Sequence, residues 1–116
     1  SVTSIGSGAF RYCSSLESIE IPNSVTTLNN YTFGGCSSLI SVTIPQSVTS
    51  IGSYAFQNCT SLTSIFIPNS VTIMDYKAFS NCPSLKIYCE ATSRSHEWDS
   101  NWYYSISSVV WGYKPE

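Results

Sequence analysis

Apolar positions recur along this chain at a fixed interval of 23 residues. The stretch from Ser47 to Asn69, SVTSIGSYAFQNCTSLTSIFIPN, aligns without gaps on Ser24 to Gln46 and on Ser1 to Asn23. A shorter copy, SVTIMDYKAFSNCPSLK, runs from Ser70 to Lys86, so repeats start at residues 1, 24, 47 and 70. Such a period marks a stack of coils, each one supersecondary unit. The apolar columns are Val2/Val25/Val48/Val71, Ile5/Leu28/Ile51/Met74, Phe10/Phe33/Phe56/Phe79 and Leu16/Leu39/Leu62/Leu85, with Ile19/Val42/Ile65 and Ile21/Ile44/Ile67. Cys13, Cys36, Cys59 and Cys82 form one more column. At about 1.5–3 kcal/mol per buried side chain, one coil cannot offset its own ordering cost, so the coils must bury one another.

Within a coil, L-x-S-I-x-I alternates as a strand with one buried face does. Pro22, Pro45 and Pro68 end it, because proline donates no ladder hydrogen bond. A second short strand, V-T-x-I, follows. Gly6, Asn29, Gly52 and Asp75 come next, residue types that tolerate a positive φ, and predict a turn. Phe and Cys then stand three apart, as on one helical face, which predicts one or two turns of α or 3₁₀ helix. The expected fold is an α/β solenoid of about four coils over residues 1–90, with residues 91–116 as a C-terminal cap. The fourth repeat is one residue short, so Ile87 and Cys89 are expected to take the places of Ile65 and Ile67.

The string I-P-x-S-V-T-x-I-G-x-x-A-F-x-x-C, in tandem from Ser1 to about Lys86, resembles the BspA-like leucine-rich repeats of bacterial and protist surface proteins. The ending Tyr88-Cys89-Glu90-Ala91, then Trp98, Trp102 and Val109-Val110-Trp111-Gly112-Tyr113, is similar to that of many bacterial members. The resemblance implies a right-handed superhelix, secreted or displayed on the cell surface. It also implies adhesion or protein binding, with no enzymatic activity and no cofactor.

Composition narrows the function further. Charged residues are 10% and the net charge is −2, with the basic residues Arg11, Lys77, Lys86, Arg94 and Lys114 scattered in sequence. That pattern excludes the basic stripe that nucleic-acid binding requires. No apolar run approaches the roughly 18 residues of a membrane-spanning helix. The chain opens in mid-pattern, as a mature product or a piece of a longer chain does. Coil spacing of about 4.8 Å permits a disulfide between neighbouring Cys. Parallel, inward thiols instead predict a column of small buried hydrophobes, reduced and inaccessible. No C-x-x-C pair offers a zinc site.

Trp98, Trp102, Tyr103, Tyr104, Trp111 and Tyr113 admit two readings: a lid over the last coil, or a platform on which sugars stack. His96, Glu97 and Asp99 lie close together in a polar, Ser-rich stretch and are expected to be solvated. Thr3/Thr26/Thr49/Thr72 and Ser18/Ser41/Ser64 predict hydroxyl ladders. Outward positions of the L-x-S-I-x-I strands form two rows: Glu17, Ile40, Thr63, Lys86, and Glu20, Thr43, Phe66, Tyr88. Ile40, Phe66 and Tyr88 are apolar where a solvated face needs none. With Glu20 and Thr43 they form the candidate partner-binding surface. The expected function is a non-enzymatic protein-interaction module without cofactor or metal. The alternatives are a structural spacer-and-cap, or a carbohydrate-binding module using the C-terminal Trp/Tyr cluster. The open N-terminal edge, with Val2 and Ile5, predicts end-to-end self-association in the absence of a preceding coil.

Overall fold

The V-T-x-I pieces form one wall of a β-solenoid. The computed structural model describes residues 3–114, over which the strands are β1 (Ser4–Ile5), β2 (Ser18–Glu20), β3 (Thr27–Leu28), β4 (Ser41–Thr43), β5 (Ser50–Ile51), β6 (Phe56–Gln57), β7 (Ser64–Ile67), β8 (Ile73–Met74), β9 (Phe79–Cys89) and β10 (Tyr103–Val110). Pairing is parallel throughout the described residues. The first wall runs β1-β3-β5-β8, with Ser4 opposite Thr27, Thr27 opposite Ser50 and Ser50 opposite Ile73. The L-x-S-I-x-I strands pair as β2-β4 and as β7-β9. Ile65 faces Ile87 and Ile67 faces Cys89, so the shortened fourth repeat keeps its columns as expected.

Backbone and hydroxyl groups reinforce this register. The Thr26, Thr49 and Thr72 amides each donate to the threonine carbonyl one coil back, at 2.8, 2.8 and 2.9 Å. Their hydroxyls reach the same carbonyls, at 3.2, 3.2 and 3.4 Å. A carbonyl has two lone pairs, and here both are used.

The expected helix is absent: the described residues contain no helix, and the α/β class gives way to an all-β solenoid. Phe-x-x-Cys lies instead on a run of tight turns. The Ala9, Arg11 and Cys13 amides bond three residues back, to Gly6, Gly8 and Phe10. The alternate amides of Gly8, Phe10 and Tyr12 donate to Asn30, Thr32 and Gly34 in the next coil. A helix would keep all these bonds to itself. Two left-handed residues per coil prevent that: Gly8, Tyr31, Tyr54 and Lys77 in one column (φ 68°, 60°, 57°, 50°), and Tyr12, Gly35, Asn58 and Asn81 in another (φ 61°, 76°, 58°, 55°). The sequence expectation placed the positive φ at Gly6, Asn29, Gly52 and Asp75, and none of these has it. Gly52 is required by space instead, since a Cβ there would lie 2.6 Å from Asn30 Oδ1 and 2.7 Å from the Asn30 amide nitrogen.

The expected four coils become about five turns, because the residues after Glu90 wind once more. Met74 bridges Trp98 in parallel, and β10 lies along β9 with Tyr103 opposite Phe79, Ile106 opposite Cys82 and Val110 opposite Tyr88. A register shift between Ile106 and Ser108 absorbs the change in spacing. Ser105 (φ 57°) is left-handed like Asn81 (φ 55°) one coil back.

The core is the interior of the coil stack. Phe33, Phe56 and Phe79 are fully buried and stack face to face, with centroids 5.3 and 4.9 Å apart. The coil-one members Ile5, Phe10, Cys13, Leu16 and Ile19 are only partly buried. Val2 lies outside the described residues.

Candidate functional site

Outward side chains of the L-x-S-I-x-I strands carry the strongest surface signal. β7 and β9 are in register with Phe66 opposite Tyr88, both half-buried. A third ring, Tyr113, joins them: its centroid lies 4.9 Å from Tyr88 and 6.0 Å from Phe66. Gly112 makes this possible, since its φ of 70° turns the chain after β10. The Gly112 amide then donates to the Ala91 carbonyl (2.7 Å) and the Tyr113 amide to the Cys89 carbonyl (2.9 Å). Tyr113 remains 40% exposed, so the three rings form an open patch. The sequence reading placed Tyr113 in the C-terminal aromatic cluster and not beside Phe66 and Tyr88, because it lies 27 residues beyond the last repeat copy, which ends at Lys86; the glycine preceding it was the available signal.

The other predicted residues divide. Glu20 and Thr43 are paired across β2 and β4, both exposed. With Ile21, Pro22, Asn23 and Pro45 they line a depression of about 390 Å³. Ile40 is 53% exposed in the other outward row, its amide on the Glu17 carbonyl (2.8 Å), and joins no aromatic contact. A second, polar depression of about 740 Å³ is lined by Asn69, Glu90, Ala91, Thr92, Ser93 and Lys114. There Glu90 Oε1 accepts the Asn69 amide at 2.8 Å, so part of its acceptor capacity serves the loop.

The tryptophans do not form the open platform that the sugar-binding reading requires. Trp98 and Trp102 are 2% and 1% exposed, and Trp111 is half-buried. Trp102 meets Phe79 edge-on at 6.3 Å and Trp98 at 5.0 Å, extending the Phe stack into the fifth coil. The buried Trp98 indole N–H is satisfied by the Val71 carbonyl, 3.2 Å away.

His96, Glu97 and Asp99 are all exposed. Asp99 is a turn former, with its Oδ1 accepting the Asn101 amide at 2.8 Å. Among the described residues no group of His, Cys, Asp and Glu is arranged to hold a metal ion.

The Cys column faces inward, and all five Cys are free thiols. Cys36, Cys59 and Cys82 are buried, and each Sγ–H donates to a Phe carbonyl of the preceding coil, at 3.1, 3.2 and 3.0 Å. Burial pushes the Cys36 thiol up, and desolvation pushes Cys89 up to about 12. A hydrogen bond shared with Cys82, together with burial, holds Cys59 far above the ordinary thiol range. That same bond favours the thiolate on Cys82, while its own burial opposes it. Cys36 and Cys59 are held neutral and Cys82 is sealed from solvent by burial, so this column is structural. Cys13, at the end of the column, is half-buried.

The BspA type leucine rich repeat region matches residues 1–109 in six copies. Among solved structures, the chain is similar to a T. pallidum leucine rich repeat protein at 26% identity and a TM-score of 0.74, over 96% of this chain and 46% of that one. A leucine-rich repeat protein from Bacteroides ovatus matches at 32% identity and a TM-score of 0.60, over 74% of this chain and 28% of that one. The pneumococcal vaccine antigen PcpA shares the fold at 18% identity and a TM-score of 0.70, over 91% of this chain and 25% of that one. The chain therefore spans less than half the length of each of these proteins. No curated protein matches it.

Proposed function

The chain belongs to the BspA type leucine-rich-repeat family, and on that premise we propose that it is a non-enzymatic protein-interaction module of a secreted or surface-displayed protein. Its partner docks on the outward face of the L-x-S-I-x-I strands. One observation carries this reading: Phe66, Tyr88 and Tyr113 form a half-exposed aromatic patch on a face whose other outward residues, Ile40 apart, are Glu, Thr and Lys. Aromatic anchors surrounded by polar residues are the usual composition of binding hot spots. Glu20 and Thr43 beside the shallow depression, and exposed Ile40, extend the surface across the earlier coils. The family supports a location outside the cell.

A peptide-display library selected on the native chain provides the test. Peptides that bind the wild type are re-measured against Phe66→Ser and Tyr113→Ser, with melting temperature recorded for each variant. Lost peptide binding at a nearly unchanged melting temperature is the expected result. A sharp drop in melting temperature with binding intact would assign the patch to ladder packing. Peptides that bind all three proteins equally would place the interaction elsewhere and leave a spacer role for this face.

A further inference from the structure

A second surface crosses the turns of the solenoid on residues that the sheet face does not use. The Arg11 guanidinium lies 4.9 Å from the Tyr12 ring centroid and 4.2 Å from that of Tyr31. Tyr31 stacks on Tyr54 at 5.1 Å with 10° between the planes, and Tyr54 meets Tyr76 edge-on at 5.9 Å. The Lys77 ammonium then sits 5.3 Å from the Tyr76 ring and 4.5 Å from that of Tyr104. Seven side chains, each touching the next, thus run unbroken from the first coil to the fifth. Sequence columns show only part of this stripe: Tyr31, Tyr54 and Lys77 share one repeat position, whereas Arg11, Tyr12, Tyr76 and Tyr104 lie off it.

Several features suit the stripe to a ligand. Tyr12, Tyr104 and Tyr76 are 67%, 57% and 41% exposed. Arg11 and Lys77 rest only on aromatic rings, and no carboxylate among the described residues pairs with either. They stand three coils apart, about 14 Å at sheet spacing, and present two uncompensated positive charges. Asp75 and Asp99 also lie on the turns, exposed, and Asp99 is engaged with the Asn101 amide. Asn30 precedes Tyr31, Asn58 and Asn81 hold the repeat position of Tyr12, and the Asn101 carbonyl accepts the Lys77 amide; all four side chains are exposed. The backbone here is already used: Gly8, Tyr31 and Lys77 amides donate to Asn30, Ser53 and Asn101 carbonyls. A peptide strand therefore finds no free ladder edge on this face, which disfavours augmentation by a protein segment.

We propose that this tyrosine–cation stripe docks a linear polysaccharide that carries carboxylates. Sugar C–H faces pack on the exposed tyrosine rings, ring hydroxyls bond the asparagine amides, and the carboxylates pair with Arg11 and Lys77. Charge complementarity selects the acidic chain over a neutral one. The stripe is separate from the Phe66–Tyr88–Tyr113 patch, so this proposal and the protein-docking one stand or fall independently.

Polygalacturonate oligomers serve as the probe, with the fully methyl-esterified oligomer as the neutral match and polyglutamate as a non-sugar polyanion. Calorimetric titration of the native chain should show binding of polygalacturonate that weakens as salt rises. Arg11→Gln and Lys77→Gln should each weaken it about tenfold, the loss expected of one charge-assisted contact. Tyr104→Ser should weaken it also, and Phe66→Ser should not. Melting temperatures of the Arg11 and Lys77 variants, both surface changes, report whether the fold is intact. Absence of polygalacturonate binding, equal binding of the methyl ester, equal binding of polyglutamate, or indifference to both cation variants would each overturn the proposal.

Discussion

Replacing Phe56 by alanine tests the nearest-neighbour character of this core most directly. Phe56 is fully buried and stacks on both sides, against Phe33 at 5.3 Å and Phe79 at 4.9 Å. Losing a buried Phe side chain and leaving its cavity costs about 3–5 kcal/mol. Two lost ring pairs at about 0.5–1.5 kcal/mol each place this site at the top of that range, about 5 kcal/mol. Phe10 occupies the same column but is half-buried and has a single ring neighbour, Phe33 at 5.4 Å. Phe10→Ala should cost about 1–3 kcal/mol on the same reasoning. In urea, with an m-value of about 1–3 kcal/mol/M, the midpoint should fall by about 2–3 M for Phe56→Ala and about 1 M for Phe10→Ala. Phe56→Leu, which keeps most of the volume but no stacking, should fall between them. Equal losses at the two positions would refute the reasoning, because a residue's value would then not depend on having a coil on each side.

Other outcomes follow from the same geometry. Thiol reagents applied to native protein should modify half-buried Cys13 and spare Cys36, Cys59, Cys82 and Cys89, all of which react after denaturation. The raised thiol pKa values of Cys36, Cys59 and Cys89 give stability that is complete below the unfolded thiol pKa of about 8.5 and declines as pH rises from there through their folded values. Urea midpoints measured from pH 7 to 10 should trace that fall, and a flat profile would contradict thiol burial. Gly52→Ala, whose Cβ would meet the Asn30 backbone at 2.7 Å, should cost about 1–3 kcal/mol. Gly6→Ala, with nothing within 4 Å, should change stability by less than about 0.5 kcal/mol. Deleting residues 91–116 removes β10, Trp98 and Trp102 from the end of the Phe column, and light scattering should then report association.

The period and its columns were legible because burial between equivalent residues leaves a mark every 23 positions. Even the shortened repeat could be read correctly, with Cys89 in the place of Ile67. The helix was misread for a physical reason. An i, i+3 pair such as Phe10 and Cys13 shares a face on a helix, but also on consecutive tight turns. Tyr31, Tyr54 and Lys77 are not residue types that announce a positive φ, yet all adopt it. The fifth coil was hidden by a change of spacing and by bulk: Trp98 fills a position held earlier by Ile, Leu or Met. Of the candidate site, Phe66 beside Tyr88 followed from register alone. Tyr113, and the Tyr12, Tyr76 and Tyr104 members of the stripe, depend on where loops return, which no column records.

The equivalence of one coil face with the next has a hereditary consequence. Thr49 contacts Thr26 as Thr26 contacts Thr3, and Phe56 meets Phe33 much as it meets Phe79. The lower face of any middle coil is thus a fair match for the upper face of any other. Recombination between misaligned copies of the gene would remove or add one whole turn, in frame, and leave a stack whose columns still meet. The unit of change for this architecture is the coil, and length can drift in steps that cost a coil's stability without scrambling the rest. A change of one residue has to be absorbed by a local shift, as it is where Ile87 and Cys89 take the places of Ile65 and Ile67. β10 makes a second such adjustment between Ile106 and Ser108, alongside the shortened stretch of β9.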